Sequence, residues 1–129
     1  MEENATNGIK TVLLIEDDPV LIKMYSTKLE ASGYKVISAL NGEDGLATAE
    51  SAKADLLILD LMMPKMSGLD VLEKLRKSEK FNQKTPVLIL TNLTEKPEQE
   101  RAKSLGANDF LIKADLVPSE IVEAIKKYI

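Results

Sequence analysis

Five short apolar runs, separated by longer segments of mixed polarity, divide the chain. Three of them, residues 12–15, 56–59 and 87–90, are wholly apolar, and each ends against a polar residue. A continuous run of this length, without alternation, is typical of a strand that is buried on both faces of a parallel sheet. Residues 34–39 and 110–112 form weaker runs that contain or adjoin polar residues. These two runs are expected at the edges of the sheet.

The segments between the runs have the apolar spacing of amphipathic helices. The first helix is expected to end near residues 32–33, the second to cover about 42–53, the third about 68–78 and the fourth about 95–104. The fifth starts after residues 117–119, where a proline and a serine occupy positions that favour the first turn of a helix.

A strict alternation of strand and helix predicts an α/β fold with a parallel sheet, right-handed crossovers and helices on both faces. For five strands the common doubly wound, flavodoxin-like order is 2-1-3-4-5, which places the two weaker runs at the edges. The 129 residues suit one domain. We expect residues 1–9 to form a disordered tail in front of a domain at 10–129. The acidic N-terminus lacks the apolar run of a signal peptide, which favours a cytoplasmic protein.

Composition narrows the chemistry. The chain contains neither cysteine nor histidine, which excludes thiolate chemistry, disulfides and the commonest general base and transition-metal ligand. The formal net charge of −4 argues against direct nucleic-acid binding, which needs a basic surface. Any catalysis must therefore use carboxylates, lysine, hydroxyl groups or a hard cation.

Candidate chemical groups follow the predicted strands. Glu16 and Asp17 follow the first strand, Asp60 the third, Thr91 the fourth and Lys113 the fifth. Ligands of such folds bind beyond the carboxyl ends of the strands, at the point between the first and third strands where the strand order reverses. We therefore expect these side chains to lie at one edge of the sheet.

The two aspartates should face each other, because neighbouring strands lie about 5 Å apart. Either one carboxyl group stays protonated or a cation neutralises the pair, and oxygen ligands alone favour Mg²⁺. Lys113 and the Thr91 hydroxyl suit phosphoryl oxygens. A carboxylate nucleophile with a metal, a lysine and a hydroxyl group, but no base for an alcohol, favours an aspartyl phosphate. Asp18 has a second interpretation, as the N-cap of the first helix.

The sequence resembles the receiver domains of two-component response regulators. Residues 12–19 are similar to their first strand and acid pair, and residues 60–68 to their phosphorylation loop, including a proline and a glycine after the acceptor aspartate. Residues 86–91 resemble the fourth strand with its hydroxyl residue, and residues 105–113 the fifth strand with its aromatic residue and lysine. The match extends from about residue 10 to the end of the chain.

The resemblance implies that Asp60 is phosphorylated by a histidine kinase, a phosphotransfer protein or a small phosphodonor. It further implies that Mg²⁺ is bound by Asp17 and Asp60, by Glu16 through water, and by the backbone carbonyl of Met62. Such a protein would catalyse only its own phosphorylation and dephosphorylation and would not otherwise be an enzyme.

The resemblance also implies a switch. Thr91 and Lys113 would bind the phosphoryl oxygens, and Phe110 would turn inward when Thr91 moves, although an aromatic residue on an edge strand is also ordinary packing. The surface of the fourth helix, fifth strand and fifth helix would then change its preference for a downstream target protein. A monomer or a weak dimer through this surface is expected, without direct contact to nucleic acid or membrane.

The chain departs from the family pattern at several positions. The family usually has a proline after the lysine, with a cis bond, whereas Ala114 follows Lys113 here. A cis bond before a non-proline residue costs about 3 kcal/mol, which favours a trans bond and a different path of Lys113 to Asp60. Asn92 replaces a residue that is usually small. Met62 and Leu93 are apolar where the family has polar side chains that position the hydrolytic water, which predicts slow self-dephosphorylation.

Three other functions compete. A pseudo-receiver would use this face for binding without phosphorylation, and Ala114 keeps that alternative open. An aspartate-nucleophile phosphatase would want a second aspartate at position 62. A nucleotide-binding flavodoxin-like protein would want a glycine- or hydroxyl-rich loop where residues 16–18 are acidic. The chain ends with the fifth predicted helix, so it either acts alone or is a receiver cut from a longer protein.

Overall fold

Five parallel strands alternate with five helices in the part of the chain that the computed structural model describes, residues 8–92 and 95–129. The strands are β1 (Thr11–Ile15), β2 (Lys35–Ala39), β3 (Leu56–Leu59), β4 (Val87–Thr91) and β5 (Asp109–Ile112). The helices are α1 (Pro19–Ala31), α2 (Gly42–Ser51), α3 (Gly68–Arg76), α4 (Lys96–Ser104) and α5 (Pro118–Lys126). A 3₁₀ turn, Lys113–Asp115, follows β5. The sheet order β2-β1-β3-β4-β5 confirms the predicted fold.

The three wholly apolar runs form the centre of the sheet. Every residue of β3 and β4 is buried, and so are the last four residues of β1. Alternate side chains enter two hydrophobic clusters: Leu13 and Ile15 pack with residues of α2, α3 and α4, and Val12 and Leu14 with residues of α1 and α5. Burial of one such side chain contributes about 1.5–3 kcal/mol, so the continuous apolar runs stabilise both layers at once.

The weaker runs lie at the sheet edges. Within β2 only Ala39 is buried, and every residue of β5 is half-buried. An edge strand has a neighbour on one side only, which explains why these runs tolerate polar residues.

Local hydrogen bonds explain where several helices begin. The Asp18 carboxylate caps α1 by accepting from the Val20 N–H at 2.9 Å, which confirms the capping interpretation of this residue. Ser67 and Asp70 form a reciprocal capping box at the start of α3. Helix α2 ends two residues before the predicted end, because Ala52 adopts an extended conformation.

Two predictions fall partly outside the described residues. Residues 1–7 of the expected tail and Leu93 are not among them. None of the helices in the described ranges is long and apolar enough to cross a lipid bilayer.

Candidate functional site

Polar side chains that are buried at the carboxyl edge of the sheet form the candidate site. Glu16, Asp60 and Thr91 are at most 3% exposed, although they are acidic or hydroxylic. Two hydrogen bonds continue the sheet beyond its apolar part: the Glu16 N–H donates to the Ala39 carbonyl at 3.1 Å, and the Asp60 N–H donates to the Ile15 carbonyl at 3.0 Å. The backbone of both acids is therefore held as firmly as the strands that precede them.

Three carboxylates meet at this edge. One oxygen from each of Glu16, Asp17 and Asp60 lies within 4.8 Å of the others. Burial raises the pKa of Glu16, and the charge of Asp60 raises it further, while Lys113 opposes part of that rise. The donor set consists of hard oxygen atoms at a spacing that a divalent cation can bridge, so the residues fit Mg²⁺.

Lys113 lies against two of the acids. Its Nζ is 2.6 Å from Glu16 Oε1 and 3.0 Å from Asp60 Oδ2. Burial by itself lowers the pKa of Lys113, but the hydrogen bonds and charges of Glu16 and Asp60 outweigh it and raise the pKa. The ammonium group is thus held in its charged form. No peptide bond among the described residues is cis, so Lys113 reaches Asp60 with a trans bond before Ala114.

The loop after β3 orients Asp60. The Met62 N–H donates to Asp60 Oδ1 at 3.1 Å, and the Met62 side chain is exposed. Gly68 donates its N–H to the Leu61 carbonyl at 3.1 Å. A side chain at position 68 would collide with the Asp60 backbone carbonyl, so the tight return of this loop requires glycine.

The two predicted switch residues lie on neighbouring strands. Thr91 ends β4, is completely buried and pairs with Ile112 in the sheet register. Phe110 is half-buried on β5, packs against the cluster of α2, α3 and α4, and lines a groove with residues of α4. The structure therefore brings every predicted site residue except Phe110 to the carboxyl edge of the sheet. The inward turn of Phe110 stays a prediction.

One contact at the site was not predicted from the sequence. The Asn92 side-chain oxygen accepts a hydrogen bond from the Ala114 N–H at 2.9 Å. Asn92 directly follows Thr91, and Ala114 directly follows Lys113. The two residues that depart from the family pattern, Asn92 and Ala114, are therefore hydrogen-bonded to each other. A pattern-based signal was present, because each departure follows the end of one of two adjacent strands.

The comparisons with known proteins point to one family. The model of the response regulator receiver domain matches residues 12–126. The polar-differentiation response regulator DivK of Brucella anthropi is 32% identical over 120 residues, covering 93% of this chain and 96% of DivK. The alkaline phosphatase synthesis transcriptional regulatory protein PhoP of Bacillus subtilis is 35% identical over 117 residues, covering 91% of this chain. The match spans 47% of PhoP, about half the length of that relative.

A solved structure agrees with the sequence relatives. The response regulator TrrA of Thermotoga maritima, in complex with Mg²⁺ and BeF, superposes with a TM-score of 0.81 at 29% identity. The superposition covers 94% of this chain and all of that one. Fold, strand-end acids and family model agree, and the chain belongs to the response regulator receiver domains of two-component systems.

Proposed function

We propose that Asp60 accepts a phosphoryl group in a Mg²⁺-dependent reaction and that the modification changes the partner preference of the protein. The observation that carries this proposal is the environment of Asp60. Its carboxylate is buried, accepts hydrogen bonds from Lys113 and the Met62 N–H, and lies beside Glu16 and Asp17. A purely structural role gives no reason to collect three acids within 4.8 Å of one another, because like charges at this spacing repel.

The reaction is a displacement at phosphorus. A carboxylate oxygen of Asp60 forms a bond to the phosphorus atom, while the bond from phosphorus to the donor breaks and its electron pair leaves with the donor. The donor is a phosphohistidine of a kinase or phosphotransfer protein, or a small acyl phosphate. Attack by a carboxylate oxygen of Asp60 removes no proton from the nucleophile, so the reaction needs no general base. The protein contributes positioning and charge stabilisation.

Mg²⁺ fits the acid cluster. Asp17 and Asp60 would hold the ion directly, Glu16 through water, and the backbone carbonyl of Met62 would complete the protein ligands. The chemistry that Mg²⁺ supplies when bound is neutralisation of the carboxylate and phosphoryl charges. Crystals of TrrA with Mg²⁺ and BeF support this assignment by similarity.

Lys113 and Thr91 would then contact the phosphoryl oxygens. The Lys113 ammonium already contacts Asp60, so it can form an ion pair with an oxygen of a phosphoryl group on that residue. A hydroxyl group at the end of β4 donates to a second oxygen when Thr91 moves. Phe110 would follow this movement inward and alter the surface of α4, β5 and α5, which we propose as the docking site for a downstream target protein.

The direct test is phosphorylation by acetyl phosphate in Mg²⁺, followed by intact mass. We expect one added phosphoryl group on the parent protein and none on Asp60→Asn, with no addition in EDTA. Asp55→Asn is a matched control, because Asp55 also lies next to β3 and binds the Thr11 N–H instead of the acid cluster. It should be phosphorylated like the parent.

The alternative is a pseudo-receiver that binds partners without phosphorylation. In that case the parent would acquire no adduct, and BeF with Mg²⁺ would also fail to bind. An adduct of the same size on Asp60→Asn would equally contradict the proposal, because the phosphoryl group would then be on another residue.

A further inference from the structure

We propose that Asn92 is a positioning residue for phosphoryl transfer, which acts by holding the backbone beside Lys113. This inference rests on the proposed function. It starts from the hydrogen bond between Asn92 Oδ1 and the Ala114 N–H, whose partners are 22 residues apart in sequence. The bond joins Asn92, the residue after Thr91, to the 3₁₀ turn after β5, which carries Lys113.

The hydrogen bond fills a gap at the start of the 3₁₀ turn. The first N–H groups of such a turn have no partner within it, and the N-cap residue Ile112 has no side-chain acceptor for them. The turn closes through the Leu116 N–H, which donates to the Lys113 carbonyl at 3.2 Å. Asn92 supplies the missing cap from the neighbouring loop. A proline at position 114 would have no N–H to be capped.

The backbone position next to Lys113 matters because of the length of its side chain. Four rotatable bonds separate the Lys113 Cα from its Nζ, yet Nζ makes two contacts of 2.6 and 3.0 Å with buried carboxylates. A shift of the turn would have to be absorbed by this side chain, and misplacement by about 1 Å can cost about 100-fold in rate. A fixed turn therefore places the ammonium group where a phosphoryl oxygen would develop charge.

Both partners of the hydrogen bond are exposed, so its effect on the position of Lys113 can be distinguished from its effect on the stability of the fold. Asn92 and Ala114 are solvent-accessible, so water can replace the bond when it is removed. The free energy of unfolding should therefore change little. The rate of phosphorylation should change more, because water does not fix the turn in one position.

The test is a double-mutant cycle on the full chain, with Asn92→Leu, Ala114→Pro and the double variant. Asn92→Leu keeps a side chain of similar size and removes the acceptor, and Ala114→Pro removes the donor. We expect Asn92→Leu to lower the rate constant for phosphorylation by acetyl phosphate at least about fivefold in the parent. In the Ala114→Pro background, where the bond is already lost, the same substitution should have less than about a twofold effect. The Mg²⁺ affinity by calorimetry should stay unchanged throughout the cycle.

The results of the double-mutant cycle distinguish failure of this inference from failure of the proposed function. If the parent accepts no phosphoryl group, the proposed function fails and this inference with it. If the parent is phosphorylated but Asn92→Leu has no effect, or equal effects in both backgrounds, the inference alone is overturned. Hydrogen exchange of the Ala114 amide provides a readout independent of activity: it should be slower in the parent than in Asn92→Leu, and equal rates would contradict the proposal.

Discussion

At the scale of single residues, the site holds more negative than positive charge, and a bound cation could neutralise the excess. Lys113 contacts Glu16 and Asp60, and its one positive charge stands against three acids. Asp17 is the acid in this cluster without an ion pair to Lys113 among the described contacts. Its charge therefore adds repulsion in the absence of metal and attraction in its presence.

Substitution of Asp17 tests this balance. Asp17→Asn should raise the free energy of unfolding by about 1 kcal/mol without Mg²⁺, because one repelling charge is removed from the cluster. The same variant should bind Mg²⁺ about tenfold more weakly. Urea denaturation and calorimetry measure the two quantities, and Glu79→Gln, an exposed acid outside the cluster, is the control. Equal or lower stability of Asp17→Asn in EDTA would contradict the account.

A second prediction concerns the lifetime of the phosphorylated state. The Met62 side chain is exposed and carries no strong hydrogen-bonding group that could orient a water molecule toward the proposed acyl phosphate. We expect self-dephosphorylation to take minutes or longer, and Met62→Asn to accelerate it several-fold. The N–H of residue 62 that binds Asp60 is retained in this variant, so phosphorylation itself should persist.

The decay of the phosphorylated mass after removal of acetyl phosphate measures both rates. A half-life of seconds in the parent would contradict slow hydrolysis. An unchanged rate in Met62→Asn would show that this position does not limit access of the water. Met66→Asn, in the same loop but outside the acid cluster, is a suitable control.

At the scale of the elements, strand ends and helix starts meet at one edge of the sheet. Asp18 caps α1 immediately after the acid pair, so Glu16 and Asp17 belong to the acid cluster and Asp18 to the helix cap. The Asp18 N–H also donates to Glu16 Oε2 at 3.1 Å, which ties the cap to the orientation of the buried acid. The start of α1 thus helps to hold the carboxylate that faces Lys113.

Removal of the cap should affect stability and little else. Asp18→Ala should lower the free energy of unfolding by about 1 kcal/mol, because the Val20 N–H loses its acceptor. Asp18→Asn keeps an oxygen acceptor and should be nearly neutral. Urea denaturation of both variants distinguishes the cap from a general charge effect. If Asp18→Asn were as destabilising as Asp18→Ala, the charge and not the hydrogen bond would be responsible.

Sequence patterns predicted the buried central strands well. They predicted less well the helix ends whose position depends on the loop that follows. The central strands are recognisable because a strand covered on both faces needs a continuous apolar run. The end of α2 was predicted two residues too late, because Ala52 and Lys53 continue an ordinary helical composition. An extended residue at position 52 is set by the path of the chain into β3, which local composition does not encode.

At the scale of the whole molecule, the order of the strands determined the site more than any single motif. Parallel strands direct their carboxyl ends to one edge, so the acids after β1 and β3 and the lysine after β5 could be placed together from sequence. The strand order also brings Asn92 and Ala114 near each other, but their hydrogen bond could not be predicted, because it depends on the backbone conformation after each strand. The same holds for the close ion pair between Lys113 and Glu16.

The packing of α4 and β5 bears on the proposed switch between the site and the surface. Thr91 and Phe110 lie on adjacent strands, and Phe110 borders the groove beside α4. The Arg76 guanidinium binds the Leu105 and Gly106 carbonyls at 2.7 and 3.0 Å, which fixes the C-terminal end of α4 against α3. A movement that starts at Thr91 is therefore expected to displace the N-terminal end of α4 more than its C-terminal end.

The central claim is that the phosphoryl group is carried by Asp60 and not by a neighbouring acid. Borohydride reduction of the phosphorylated protein converts an aspartyl phosphate to homoserine, and trypsin then separates residues 54–65 from residues 11–23. Fragment masses should place homoserine at position 60, only in samples treated with acetyl phosphate and Mg²⁺. Homoserine at position 17 or 18, or none in any peptide, would contradict the account.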